Sequence, residues 1–371
     1  MKRTVLIRLA LLCVLFAVLI AGLPGYLEHS VTANESQNDS VVESLLNLKH
    51  TLRFGDDGKF KIVIFSDIQD TYPMEADTVQ YMNQILDLEK PDLVLLGGDN
   101  HNGTLSNESI LKTYLQAMSK PMESRKIPWA QTYGNHVEGG YGYKMSAPGK
   151  ERQQEIFESF PYNISKAGNV YGVGNYVLPV LRSDSDKVGF NVFVLDSHTY
   201  LMDASGGKHF ENTVLLDRPI YGGLRDHVYE TIHFDQIRWY WKSSVALEQY
   251  SGQKVAAMMM FHIPLYEYEY VAQNPNQTGM QGANMDGVSA SELNSGLLHA
   301  CYERGDVKGI FVGHCHQNDF MGTYIGIKLA FVPTIGSNQY FSPTNRGARV
   351  IEIDQDDAFN FTTRMVYCKD L

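Results

Sequence analysis

Asp67, Gln69, Asp99, Asn135, His136, His262, His314 and His316 are the residues whose types and positions could do chemistry. They mix carboxylate and amide oxygens with imidazole nitrogens, a donor set suited to manganese, iron or zinc rather than to calcium alone. In Gly313-His314-Cys315-His316 two imidazoles stand one residue apart, just past the short apolar run 308–312, so they can aim at two neighbouring points. A pair of ions needs a bridging carboxylate with terminal ligands on either side, and Asp99, in the middle of the set, suits the bridge. Such a pair would bind a phosphate ester across both ions, lower the pKa of a bound water and offset charge on the phosphoryl oxygens. An adjacent imidazole would then protonate the leaving alkoxide.

The elements that must position these residues are legible as apolar runs ending in polar ones. Residues 61–65 read as a strand that ends at Ser66-Asp67-Ile68-Gln69, 93–96 as one ending at Gly97-Gly98-Asp99, and 129–133 as one ending at Gly134-Asn135-His136. Between them, 76–89 has helical spacing stopped by Pro91, and a second helix is expected from Glu108 to about Ser119, ahead of Pro121. This alternation predicts an α/β protein, and open α/β sheets bind ligands outside the carboxyl ends of their strands. Further along, 150–159 reads as a helix and 175–181 and 190–195 as strands, the latter ending at Asp196-Ser197-His198. Residues 234–250 read as a helix and 255–261 as a strand ending at His262. Residues 264–288 read as a loop, 290–303 as a helix, and strands near 328–332 and 349–353 are expected to close a second sheet. His101 and His198, near strand ends, are further candidates to line the substrate pocket. The segments 137–150, 200–230 and 264–288 are the loops expected to set selectivity.

With 371 residues and 44% hydrophobic content, the chain can bury a large core as one domain. Its net charge of −11 leaves no basic footprint, which excludes a charged nucleic-acid surface. Lys2, Arg3 and Arg8 precede the apolar run 9–23 and Pro24, the pattern of a signal peptide with small residues for cleavage at Val31-Thr32-Ala33. The expected division is a signal peptide at 1–33, a polar linker at 34–58 and a catalytic domain at 59–371. The location is secreted or extracytoplasmic, with membrane anchoring through 5–23 if the segment stays uncleaved. Cleavage removes Cys13 and leaves Cys301, Cys315 and Cys368, too few for a disulfide framework; Cys315 reads as a small buried hydrophobe. Glycan acceptor patterns occur at Asn34, Asn38, Asn102, Asn107, Asn163, Asn276 and Asn360, of which Asn102, close to Asp99, is expected to stay bare.

In order, Asp67-x-Gln69, Gly98-Asp99-Asn100, Gly134-Asn135-His136, His262 and Gly313-His314-x-His316 resemble the motifs of calcineurin-like metallophosphoesterases. The stretches Gly172-Val173-Gly174-Asn175-Tyr176, Leu195-Asp196-Ser197-His198, Phe261-His262-Ile263-Pro264-Leu265 and Arg304-Gly305-Asp306-Val307-Lys308 resemble one branch, that of small purple-acid-phosphatase-like proteins and the fungal dosage-dependent cell-cycle regulator phosphatase. The resemblance spans about 60–353. It implies a four-layer α/β/β/α sandwich of two mixed sheets. It also implies two divalent or trivalent ions (Mn, Fe or Zn), one held by Asp67, Gln69, Asp99 and His316, the other by Asp99, Asn135, His262 and His314. His136 would contact the phosphate and protonate the leaving group. Three positions depart from the pattern: Gln69 replaces the family's usual histidine, Asn102 replaces the tyrosine that colours purple acid phosphatases, and Val137-Glu138 replaces a following aspartate. The implied function is an exported phosphohydrolase of small phosphorylated substrates, a phosphomonoesterase in the first place. A phosphodiesterase or nucleotide pyrophosphatase is the alternative that Gln69 favours. A catalytically silent surface or binding protein with an incomplete metal site is the alternative of another class.

Overall fold

In the strand Lys59–Phe65 successive side chains face opposite ways and enter two different cores. Val63 and Phe65 pack with Met82, Leu86, Tyr114 and Met118 of helices, whereas Ile62 and Ile64 pack with Leu178, Val192, Met258 and Phe311 of other strands. An apolar strand buried on both faces needs a layer on each side, and this one has them. The computed structural model describes residues 46–105, 107–137, 148–200, 229–291 and 293–371. The segment read as a signal peptide, residues 34–45 of the linker, Glu138, residues 201–228 and most of the loop 137–150 lie outside the described residues.

The strands are β1 (Leu52–Arg53), β2 (Lys59–Phe65), β3 (Leu93–Leu96), β4 (Trp129–Gln131), β5 (Tyr176–Leu181), β6 (Val188–Val194), β7 (Ala256–Met260), β8 (Val307–Val312), β9 (Met321–Tyr324), β10 (Ile327–Phe331), β11 (Gly347–Asp354) and β12 (Thr362–Tyr367). They form two mixed sheets, ordered β1-β5-β6-β7-β8-β10-β9 and β12-β11-β2-β3-β4. The helices are α1 (Ala76–Glu89), α2 (Glu108–Arg125), α3 (Lys150–Ser159), α4 (Phe234–Ser251), α5 (Glu267–Gln273), α6 (Pro275–Thr278) and α7 (Leu297–Arg304). Helices α1, α2 and α3 cover the outer face of the smaller sheet. On the outer face of the larger sheet Tyr240 of α4 sets its ring edge-on to Phe193 at 5.0 Å and donates to Asp306 at the start of β8. The result is the expected α/β/β/α sandwich of two mixed sheets. Among the described residues no helix is long and apolar enough to cross a membrane.

Several local expectations are corrected. Helix α2 does not stop before Pro121 but runs through it to Arg125. Proline forfeits one backbone bond there, yet Met118 and Met122 on either side are fully buried, and Lys126, in the left-handed region at φ 57°, ends the helix. Residues 290, 291 and 293–296 are not helical. The Ser291 hydroxyl donates to the carbonyl of Tyr229 and accepts from the Leu293 amide, and the Asn294 side chain accepts from the Gly296 amide, so local side-chain bonds displace helical ones. The stretch read as a loop at 264–288 contains α5 and α6, and Tyr268 is buried, donating to the Ile310 carbonyl at 2.7 Å. Of the two late strands, β10 joins the larger sheet and β11 the smaller. Strand β1 pairs with β5, so the end of the segment read as linker belongs to a sheet. Cys301, Cys315 and Cys368 are buried thiols that form no disulfide among the described residues. Asn163 is buried with its amide donating to Gln131, which takes that acceptor pattern out of reach of a sugar.

Candidate metal centre

The parallel trio β2, β3 and β4 ends in Asp67, Asp99 and Asn135, and the parallel pair β7 and β8 ends in His262 and in His314 with His316. The two sheets meet at these carboxyl ends: the His314 amide, past β8, donates to Asp67, past β2, and the His262 ring, past β7, bonds the Gly97 carbonyl, past β3. The approach demands unusual backbone. Asp67, Gln69, Asp99 and His314 adopt φ of 49°, 40°, 45° and 72°, a region non-glycine residues enter at a cost and chiefly at functional sites. Two glycines are required for contact rather than for φ alone. A Cβ on Gly313 would lie 2.0 Å from Ser66 Oγ and 2.4 Å from Asp67 Oδ2, and one on Gly134 would lie 2.1 Å from Asp99 Oδ1.

Asp67 Oδ2 accepts from Ser66 Oγ at 2.7 Å and from the His314 amide at 3.0 Å, while its carbonyl accepts from Thr334 Oγ1. Asp99 Oδ1 accepts from the His136 amide at 2.9 Å, and Oδ2 accepts from Gln69 Nε2 at 2.6 Å. His262 Nδ1 faces the Gly97 carbonyl and His316 Nδ1 the Tyr340 carbonyl, each at 2.9 Å. A carbonyl only accepts, so Nδ1 carries the hydrogen in both rings and Nε2 is turned to the carboxylates. His262 Nε2 stands 3.2 Å from Asp99 Oδ2 without hydrogen-bond alignment, and His316 Nε2 stands 3.4 Å from Asp67 Oδ1. Two acceptors facing each other at this range call for a positive charge between them.

The electrostatics agree. Burial works against charge on His262, yet the carboxylates of Asp99 and Asp67 outweigh it and push its pKa up to about 9. Burial likewise works against ionised Asp99, but the imidazoles of His262 and His136 hold that carboxyl well below its ordinary range. For Asp67 burial prevails and raises the pKa; for His314 burial and then the charge of His262 keep the ring neutral, as a ligand must be. Asn135 Oδ1, His262 Nε2 and His314 Nε2 are buried with no hydrogen-bond partner, while Asn135 Nδ2 donates to the Tyr200 hydroxyl at 2.9 Å. Donor atoms of Asp99, His262 and His314 lie within 4.8 Å of one another. Orphaned lone pairs of oxygen and nitrogen converging on one carboxylate fit a transition-metal ion.

Of the other candidates, His136 keeps its ring partly exposed beside this buried cluster. His101 spends its nitrogens on Gln153 and on the Gly103 amide, and His198 bonds Gln236 through Nε2. Both are buried supports rather than pocket lining. Cys315 is buried as expected, its sulfur accepting from the Ser289 amide. The sequence reading missed the supporting residues: Ser66, Thr334, Tyr200, Tyr229, whose ring stands edge-on to His314, and Tyr340, stacked on His316 at 4.2 Å. None lies at a motif spacing that could have announced it. A cavity of about 660 Å³ lined by Lys59, Asp92, Asp354 and Phe361 sits at the opposite end of β2, remote from this chemistry.

A family model described as calcineurin-like phosphoesterase matches residues 60–318. The chain is 27% identical over 327 residues to "Probable inactive purple acid phosphatase 14" of Arabidopsis thaliana, covering 79% of this chain and 74% of that one. It is 28% identical over 291 residues to "Phosphatase DCR2" of Saccharomyces cerevisiae, covering 71% of this chain and 45% of the yeast protein. Among solved structures, a dimetal phosphatase from Danio rerio superposes with a TM-score of 0.49 at 11% identity, over 79% of this chain and 95% of that one.

Proposed function

This chain belongs to the calcineurin-like phosphoesterase family, and from that premise we propose that it is a dinuclear metal-dependent phosphohydrolase whose substrates are small phosphate monoesters. The observation that carries the proposal is the set of buried, unpartnered donors on Asn135, His262 and His314 around the carboxylate of Asp99. In this reading Asp99 is shared, Asp67, Gln69 and His316 complete one ligand set, and Asn135, His262 and His314 complete the other. When bound, the ions supply Lewis-acid activation of water and neutralise phosphoryl charge. The Gly97 and Tyr340 carbonyls fix the tautomers of His262 and His316, so that both rings present Nε2 without rearrangement. His136, its backbone pinned to Asp99 and its ring partly open, holds the proton for the leaving oxygen.

The test is a phosphate-release screen over monoesters, diesters and pyrophosphates against a panel of divalent ions. Monoester turnover that needs metal supports the proposal, and preference for diesters or pyrophosphates transfers it to the alternative substrates. A second reading, a metal-poor and silent binding protein, is favoured by one observation, the Gln69 amide bonded to Asp99, and agrees with the word "inactive" in the plant relatives' names. Absence of turnover with every ion would select it. Export is part of the proposal and rests on the apolar run 9–23; sequencing the amino terminus of the mature protein tests it.

A further inference from the structure

Taken as two halves that share Asp99, the centre is not symmetric. On one side Asn135 Oδ1, His262 Nε2 and His314 Nε2 are all buried and unpartnered, and the Asn135 amide is already oriented by its bond to Tyr200. On the other side Asp67 and His316 offer donors, but residue 69 does not. Its Nε2 donates to Asp99 Oδ2 at 2.6 Å, and an amide oxygen could not stand that close to a carboxylate oxygen. Oδ2 is also the oxygen facing His262 at 3.2 Å. The Gln69 amide must therefore break a charge-assisted bond to Asp99 and turn over before its oxygen can serve as a ligand.

From this asymmetry we infer that the two halves load in order. The half of Asn135, His262 and His314 fills first, and the half of Asp67, Gln69 and His316 fills second, on the order of ten- to a hundredfold more weakly, the range set by breaking one charge-assisted hydrogen bond. At limiting metal the protein is then mononuclear, and residue 69 decides at what concentration it becomes dinuclear. The inference rests on the proposed two-metal reading, but its test does not use catalysis.

Manganese(II) titration of the metal-stripped full chain, followed by equilibrium dialysis and by electron paramagnetic resonance, reads both steps. The expected result is a first equivalent with the spectrum of an isolated ion and a weaker second equivalent that brings spin coupling. In Gln69→His the second step should tighten by at least about tenfold, since a neutral imidazole keeps a lone pair on one ring nitrogen and is the better ligand. Gln69→Glu, which has no hydrogen to donate at neutral pH, should also tighten it, a control should the histidine variant misfold. His314→Ala should weaken the first step. Two equivalents binding in a single phase, a second step indifferent to both Gln69 variants, or loss of only the weaker step in His314→Ala would overturn the inference. If loading follows this order and no phosphate ester is cleaved by the dinuclear form, the proposed function fails while the inference stands.

Discussion

His262 donates from Nδ1 to the carbonyl of Gly97 at 2.9 Å, and that single bond decides which nitrogen the ring presents to Asp99. A histidine free to turn would satisfy itself elsewhere; this one is held with its other nitrogen toward a carboxylate 3.2 Å away. His262→Ala and Asp99→Asn should each lower phosphate release by on the order of a hundredfold or more, since residues that merely orient a ligand already cost roughly 10- to 100-fold. Turnover near that of the unsubstituted chain in either variant would refute the proposed centre.

The pH dependence of the metal-free chain follows from the same ring. Its folded pKa, about 9, lies above the ordinary value of about 6.5. The stability it contributes is therefore fully present below about 6.5 and is lost as pH rises to about 9. Thermal melting of the metal-stripped chain should show a falling midpoint across that window. Metal uptake at neutral pH should release protons, detectable in weakly buffered solution. A flat midpoint in His262-intact protein would count against the assignment.

Tyr200→Phe removes the acceptor of the Asn135 amide hydrogen but keeps the ring stacked on Tyr229 at 5.4 Å. The fold should survive, and metal affinity should fall roughly 10- to 100-fold as the amide loses its fixed orientation. Calorimetric metal titration beside a melting curve separates the two effects.

Gly313→Ala should abolish metal binding, because the added carbon would sit 2.0 Å from Ser66 Oγ and 2.4 Å from a carboxylate oxygen of Asp67. Metal analysis of the purified variant checks this, and retention of bound metal would show that the loop can yield.

Lys150 meets Asp196 at 3.0 Å with both side chains nearly out of water. Burial alone would raise the pKa of Asp196, but the ammonium of Lys150 holds it low. Lys150→Met leaves that carboxylate buried without its partner and should cost about 3–5 kcal/mol in denaturant unfolding.

The residues that end strands were legible because an apolar run broken by glycine and a polar side chain marks both the strand and its carboxyl end. Asp67, Asp99, Asn135, His262, His314 and His316 all carry that mark and all come together. Their supports were not legible. Tyr340 reaches His316, and Thr334 reaches the Asp67 carbonyl, through packing between distant segments that leaves no local pattern. The stretch 290–296 misled because Ala290, Leu293 and Leu297 have helical spacing, while the Ser291 and Asn294 side chains bond the backbone instead. Gln69 was recognised as the odd position, but that its amide hydrogen rather than its oxygen would meet Asp99 depends on a neighbour thirty positions away, visible only once the sheets are assembled.

Tyr200 and Tyr229 pair as an antiparallel bridge, so the chain leaves and re-enters the rim of the centre at nearly one point. Tyr200 bonds the Asn135 amide and Tyr229 sets its ring edge-on to His314, so the two sides of that bridge are themselves fastened to opposite donors of one ligand set, and a pull on either side is felt at a donor atom.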